Sequence, residues 1–339
     1  MDICIWVTEK CNLNCTYCYV NKKPKAMNAC TAELLCNYII NYLNKSNGMN
    51  NIYFHGGEPL TNYKIINKII SILKEKNGLE NIRMSMTTNG TIYSPDMEEI
   101  LKLINISVSL DGDQKNHDLN RKDSEGNGSF EKATLFINRL KDLDIGFDIR
   151  MTVHPSNVKN FKNNYMYLVH TYNQLPIFVP DAGSDRWSIS LLKDFVEQIK
   201  DVFMILYRNG YSDIIAYLYD MKTEYLRFRK GCSGGKDSIH IDAEGLIYPC
   251  YLAVGNEEFC IGNISDGINQ EQVEELYQIS LRRNPDCMGC GLENNCKTKS
   301  CKIVNKIRRN DYLKPDEFMC NYTRELYKMI TELEHKWEK

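Results

Sequence analysis

The stretch CNLNCTYCY, residues 11–19, sets Cys11, Cys15 and Cys18 at spacings of four and three, directly behind an apolar run that begins at Ile3. A strand-like run that ends on a thiol-rich loop puts a candidate site at the C-terminal end of that strand. Three clustered thiolates hold iron or zinc, and closely spaced cysteines commonly carry iron-sulfur clusters. A structural zinc site asks for a fourth Cys or His close by, but the next thiol is Cys30, just before a predicted helix. Three ligands and one open coordination position suit a [4Fe-4S] cluster whose fourth iron binds another molecule.

Outward from this loop, short apolar runs alternate with helical patterns. Strands are predicted at Ile3 to Thr8, Ile52 to Phe54, Ile82 to Thr87, Ile104 to Leu110, Ile145 to Val153 and Leu175 to Val179. Helical spacing joins Leu34, Leu35, Tyr38, Ile39, Tyr42 and Leu43. It recurs in Ile65, Ile66, Ile69, Ile70 and Leu73, and in Ala133, Leu135, Phe136 and Leu140. Six β-α units in series predict an α/β fold with a parallel sheet, open or curled into a partial (β/α)6 barrel, with ligands at the C-terminal strand ends. The expected organisation is 1–187 as this partial barrel, 188–230 as a helical bridge, and 231–339 as a loop-rich region with a hairpin around IHIDAEGLIYPC.

The net charge is −2 and 25% of residues are charged, so bulk electrostatics points to neither nucleic acid nor an acidic membrane surface. No signal peptide opens the chain and no apolar run reaches the roughly 18 residues of a membrane span. The expectation is a cytoplasmic protein with no nucleic-acid or membrane partner. Its 14 cysteines therefore read as metal ligands first, because reducing compartments disfavour disulfides. Six lie at or before Cys36 and eight at or after Cys232.

Cys-x3-Cys-x2-Cys with Tyr17 before the third cysteine resembles the signature of the radical S-adenosylmethionine (radical SAM) enzymes. Further segments at the other strand ends share the resemblance: HGGEP (55–59), TTNG (87–90), SLDG (109–112) and HDLNR ending at Arg121, ahead of GSF. The resemblance implies that Cys11, Cys15 and Cys18 hold a [4Fe-4S] cluster and that SAM lies against Tyr17, Gly56, Gly57, Glu58, Thr88, Asn89, Ser109, Asp111 and Arg121. It also implies that Arg121 pairs with the SAM carboxylate.

The later cysteines carry a second resemblance. Cys232, then Gly245 and Cys250, then Cys287, Cys290, Cys296, Cys301 and Cys320 follow the pattern of the SPASM extension, with one spacing, Cys296 to Cys301, longer by a residue. This implies two auxiliary [4Fe-4S] clusters, three in all. Cys287, Cys290, Cys296 and Cys320 would hold the distal one, and Cys232, Cys250 and Cys301 the nearer one. The fourth position of the nearer cluster is either Cys260 or an open iron. A zinc ribbon is the competing reading of Cys287 and Cys290. Cys4, Cys30 and Cys36 are expected to be packed thiols.

SPASM enzymes mostly modify peptides, which implies a radical SAM oxidoreductase that matures a ribosomally made peptide through a thioether or carbon-carbon crosslink. Anaerobic sulfatase maturation is the alternative. Relatives of that kind place an aspartate base directly after the cysteine of Gly-x4-Cys, whereas this chain has Tyr251; Asp181 and Asp242 are the candidate acid-base residues. A non-catalytic iron-sulfur redox or binding protein is the reading of another class. The chain begins on its first strand, so no leader-recognition domain is expected before it. The expected partners are a precursor peptide or protein, an external electron donor and a separate leader-recognition protein.

Overall fold

A computed structural model describes residues 2–43, 48–226 and 230–337. In chain order the elements are β1 (Asp2–Thr8), α1 (Ala29–Leu43), β2 (Asn50–Gly56), α2 (Tyr63–Asn77), β3 (Ile82–Thr88), α3 (Glu98–Leu101), β4 (Asn105–Ser109), α4 (Gln114–Asn120), α5 (Phe130–Asp142), β5 (Phe147–Val153), α6 (Phe161–Tyr172) and β6 (Ile177–Pro180). There follow α7 (Ile189–Arg208), α8 (Asp213–Leu226), β7 (Ser238–Ile241), β8 (Leu246–Tyr248), β9 (Gly262–Asn263), β10 (Gly267–Ile268), α9 (Gln270–Leu281), α10 (Lys297–Ser300), α11 (Lys302–Arg309) and α12 (Glu317–Trp337). They form two compact units, one from residues 2–151 and 233–274, the other from 152–232 and 275–337.

In the first unit the strands run β10-β9-β8-β7-β1-β2-β3-β4-β5. β1 to β5 are parallel neighbours in chain order, and β7 lies parallel on the other side of β1, with Asp2 opposite Ser238. β1 is thus flanked on both edges, and every residue from Ile3 to Thr8 is buried, as a near-continuous apolar run in a covered parallel sheet requires. The linear order leaves the sheet unclosed, consistent with a partial barrel. β7 and β8 form the expected antiparallel hairpin. Its docking onto β1 was not expected: the segment read as part of a separate metal-held region is sheet.

All six predicted strands form, with β2 longer than expected (Asn50–Gly56) and β4 shorter (Asn105–Ser109). The helical stripes shift in detail. α1 buries Ala32, Leu35, Cys36, Ile39 and Leu43, which turns Leu34 and Cys30 outward; Leu135 of α5 is likewise exposed. Cys4 and Cys36 are packed as expected, but Cys30 is not.

The second unit has a helical framework. α7 buries Leu192, Phe195, Ile199, Phe203 and Leu206 along one face, and packs on α6, α8 and α12. Phe195 stacks on Tyr322 of α12, and Phe161, Phe178 and Phe195 meet edge to face. The segment expected as a bridge supplies α7 and α8 to this core.

Candidate functional site

The thiol loop leaves β1 at Thr8 and is stitched to the loop after β2. Gly57 N–H donates to Thr8 O and Glu58 N–H to Lys10 O, both at 2.9 Å. The approach requires glycine. A Cβ at Gly56, where φ is +136°, would stand 1.9 Å from Thr8 O, and one at Gly57 2.2 Å from Lys10 O. Glu58 is 1% exposed. Its carboxylate accepts from Leu60 N–H at 3.1 Å, Thr88 Oγ1 at 2.7 Å and Asn89 N–H at 2.7 Å. Burial raises its pKa to about 7 against those bonds. Glu58 thereby pins the end of β3 to the end of β2. Asn89 passes the connection on, with Nδ2 donating to Asn12 Oδ1 at 3.0 Å and standing 3.9 Å from Cys11 Sγ.

The far side of the loop is tied to the end of α4. Thr16 N–H donates to Asn120 O at 3.0 Å, and Thr16 Oγ1 to Asn120 Oδ1 at 2.7 Å. Beyond β4 and Ser109, buried Asp111 accepts both Nε (3.0 Å) and Nη2 (3.1 Å) of Arg121, and the Tyr17 hydroxyl at 2.5 Å. The Arg121 guanidinium also lies 5.3 Å from the centre of the Tyr17 ring. The arginine expected to meet a SAM carboxylate thus has two of its donors on Asp111, a bidentate geometry that fixes it. His117 backs this pair. Asp111 N–H donates to its Nδ1 at 3.3 Å, so the ring proton sits on Nε2, which donates to Ser129 Oγ at 2.9 Å; Ser129 donates in turn to Arg121 O at 2.9 Å.

In the second unit, Cys287, Cys290, Cys296 and Cys320 line one cavity of about 350 Å³. Burial raises the pKa of the Cys287 and Cys320 thiols, and the neighbouring thiols push both the same way: Cys296 and Cys290 act on Cys287, and Cys296, Cys287 and Cys290 on Cys320. Asn284 Nδ2 is 3.6 Å from Cys287 Sγ, and Arg324 Nη2 is 3.9 Å from Cys290 Sγ. All are free thiols. Among the described residues, no three His, Cys, Asp or Glu side chains converge closely enough to hold a single metal ion.

The Radical SAM superfamily model matches residues 5–167. The chain carries a radical SAM domain. A cysteine-type anaerobic sulfatase-maturating enzyme of Clostridium perfringens is 26% identical over 343 residues, covering 92% of this chain and 91% of that protein. Radical SAM cyclopropyl synthase TigE of Paramaledivibacter caminithermalis is 25% identical over 348 residues, covering 96% and 71%. Among solved structures, anSMEcpe with bound AdoMet and Cp18Cys peptide shares the fold, with a TM-score of 0.80, 22% identity, and 98% and 96% coverage. The homologues are radical SAM enzymes of the protein- and peptide-modifying kinds, consistent with a radical SAM oxidoreductase.

A radical SAM domain takes a [4Fe-4S] cluster and SAM, and the donor set after β1 fits the cluster. Burial raises the Cys11 thiol to about 11 and the Cys15 thiol upward, so thiolates there need a cation beside them, which ligation to iron provides. Cys11 Sγ accepts from Leu13 N–H at 3.4 Å, and Lys22 Nζ holds the loop through Leu13 O and Asn14 Oδ1. The distal thiols sit in a cavity with an amide and a guanidinium turned toward sulfur. Cys232 N–H donates to Ser280 Oγ at 2.9 Å, Cys250 precedes a single turn at Tyr251–Ala253, and Cys301 is the N-cap of α11. Cys260 Sγ donates to Gly262 O at 3.4 Å.

Of the two acid-base candidates, Asp242 is 2% exposed and its Oδ1 accepts from Glu244 and Leu246 N–H at 2.9 Å, closing the β7–β8 turn. Asp181 lies 3.8 Å from His154 Nε2 and accepts from Gly183 N–H. An aromatic group went unread in the sequence: Trp6, Tyr19, His55, His240 and Tyr251 gather at the ends of β1, β2 and β7. His55 Nδ1 accepts from Gly56 N–H, so Nε2–H donates to Tyr19 Oη at 3.1 Å and leaves the Tyr19 hydroxyl proton for another acceptor. Burial lowers the His55 pKa to about 4, which keeps the ring neutral at pH 7. The signal was present, since His55 opens HGGEP and Tyr19 closes the first motif.

Proposed function

We propose that this chain is a maturase that oxidatively crosslinks a ribosomally made peptide, with a thioether ahead of a carbon-carbon bond. The observation that carries the reading is Tyr251. It occupies the position where sulfatase maturases place their aspartate base, and its ring packs against Tyr19 (5.2 Å) and His240 (6.3 Å). When bound, SAM and its cluster supply a radical that removes one hydrogen atom from the peptide. This chain's residues would position that hydrogen, exclude water and take up a proton. The net change is the loss of two protons and two electrons from the peptide, which gives auxiliary clusters an electron-accepting task. We assign Cys287, Cys290, Cys296 and Cys320 to the distal cluster. Cys232, Cys250 and Cys301 are assigned to the nearer one, completed by Cys260 or by an open iron. An external electron donor, a separate leader-recognition protein and a cytoplasmic setting belong to the same reading. Among the described residues no helix is long and apolar enough to cross a membrane.

Sulfatase maturation is the second reading, favoured by the similarity to the Clostridium perfringens enzyme across 92% of this chain. The two separate by product. Anaerobically reconstituted enzyme with SAM and reductant is offered a cysteine-containing sulfatase peptide and a short precursor peptide encoded beside the gene. A precursor that loses two hydrogens and keeps its sulfur supports crosslinking; a sulfatase peptide that loses sulfur and gains an aldehyde overturns it. Iron counting on the same protein is expected to give about twelve irons. Changing Cys11, Cys15 and Cys18 together to Ala lowers this to about eight, as three clusters require. A fall from about four to none removes the auxiliary clusters from the reading.

A further inference from the structure

Lys302 is 1% exposed and Asn284 is fully buried. Among the described residues no carboxylate lies within ion-pair distance of the Lys302 ammonium, whose Nζ donates to Asn284 Oδ1. Lysine offers only donors, so this bond fixes the amide: Oδ1 faces the ammonium and Nδ2 faces the other way. The Nδ2 group donates to Cys287 Sγ at 3.6 Å and to Lys299 O at 3.5 Å. A buried cation without a counter-charge is costly. Two acidic groups favour its charge through space, Cys287 more than Asp311, and the neighbouring cavity lined by four thiols, Cys287 among them, is the place for a further anion.

We propose that Lys302, acting through Asn284, is a positioning residue that sets the reduction potential of the distal cluster, a proposal that rests on the assignment of a [4Fe-4S] cluster to Cys287, Cys290, Cys296 and Cys320. One-electron reduction takes a cluster with four thiolates from a dianion to a trianion. A buried ammonium stabilises the trianion more, and an N–H to sulfur bond acts in the same direction. The potential therefore rises and the cluster becomes a better electron acceptor. Arg324 also reaches a ligand, Cys290, but it is exposed, and solvent and salt screen its charge. The buried cation, and not the exposed one, carries the effect.

The test is an EPR-monitored potentiometric titration of the reconstituted full chain in the Cys11/Cys15/Cys18→Ala background, with the distal signal assigned as the one lost in Cys290→Ala. Lys302→Met is expected to keep its iron and to weaken the electron affinity of that signal about tenfold, a shift of about 59 mV to lower potential for one electron. Lys302→Arg retains the potential, Asn284→Ala lowers it, and Arg324→Gln leaves it within a fraction of that change. A fully loaded Lys302→Met protein that titrates like its parent overturns the proposal. If that variant fails to load, Asn284→Ala decides, and an unshifted potential there overturns it equally. A parent protein that carries zinc or no metal at these four thiols overturns the distal-cluster assignment itself, which iron counting distinguishes from an unshifted potential.

Discussion

His117 shows how single residues hold the pair Asp111–Arg121 beyond β4 in the first unit. It is fully buried, accepts a backbone N–H on Nδ1, and donates through Ser129 to the carbonyl of Arg121. Burial lowers its pKa from 6.5 to about 4, with the Asp111 charge opposing. The folded state thus resists a proton that the unfolded chain accepts, and stability is lost as pH falls from about 6.5 toward 4. The linked free energy is on the order of 3 kcal/mol. Urea midpoints of the apo protein across that window, compared with His117→Gln, should show the slope in the parent and its loss in the variant; equal slopes exclude His117 as the source. Sequence reading marked Asp111 and Arg121 as site residues, with Arg121 expected on a SAM carboxylate, but not their pairing with each other. The Asp111–Arg121–His117–Ser129 chain depends on side-chain directions that spacing alone does not fix.

At the level of elements, the site depends on two loops being nearly in contact, and Gly56 is where they meet. With a Cβ there 1.9 Å from a backbone carbonyl and φ at +136°, Gly56→Ala must separate the loop after β2 from the thiol loop. The expected outcome is a loss of SAM cleavage of at least a hundredfold, read as 5'-deoxyadenosine release, with far-UV circular dichroism unchanged. Release at parental rate would mean the two loops move apart without consequence. Strands and helices of this unit were legible because each is amphipathic or apolar over its own length. The thiol loop was legible as a candidate site because its three cysteines are close in sequence and follow an apolar strand directly. The pairing of β7 with β1 was not, because Asp2 and Ser238 share no local signal and the hairpin's composition resembles that of a metal-held loop. Cys30 was misread because the helical phase, set by Ala32, Leu35, Cys36 and Ile39, decides which thiol faces inward.

For the molecule as a whole, each compact unit is assembled from two separated stretches of chain. A chain that stops at residue 232 keeps β1 to β5 but lacks the neighbour that covers the other edge of β1. An apolar central strand left with an open edge pairs with other chains. Such a truncation is expected to elute as large assemblies in size-exclusion chromatography, and a soluble monomer would show that the edge is protected otherwise. The same pairing sets a timetable during translation. β1 and its thiol loop are among the first residues made, yet Ser238 leaves the ribosome about ten to fifty seconds later at ordinary synthesis rates. For that interval the nascent strand has one edge uncovered, and its thiols stand beside an incomplete sheet. The strand that carries the thiol loop is therefore covered on both edges only once the last third of the chain is being made.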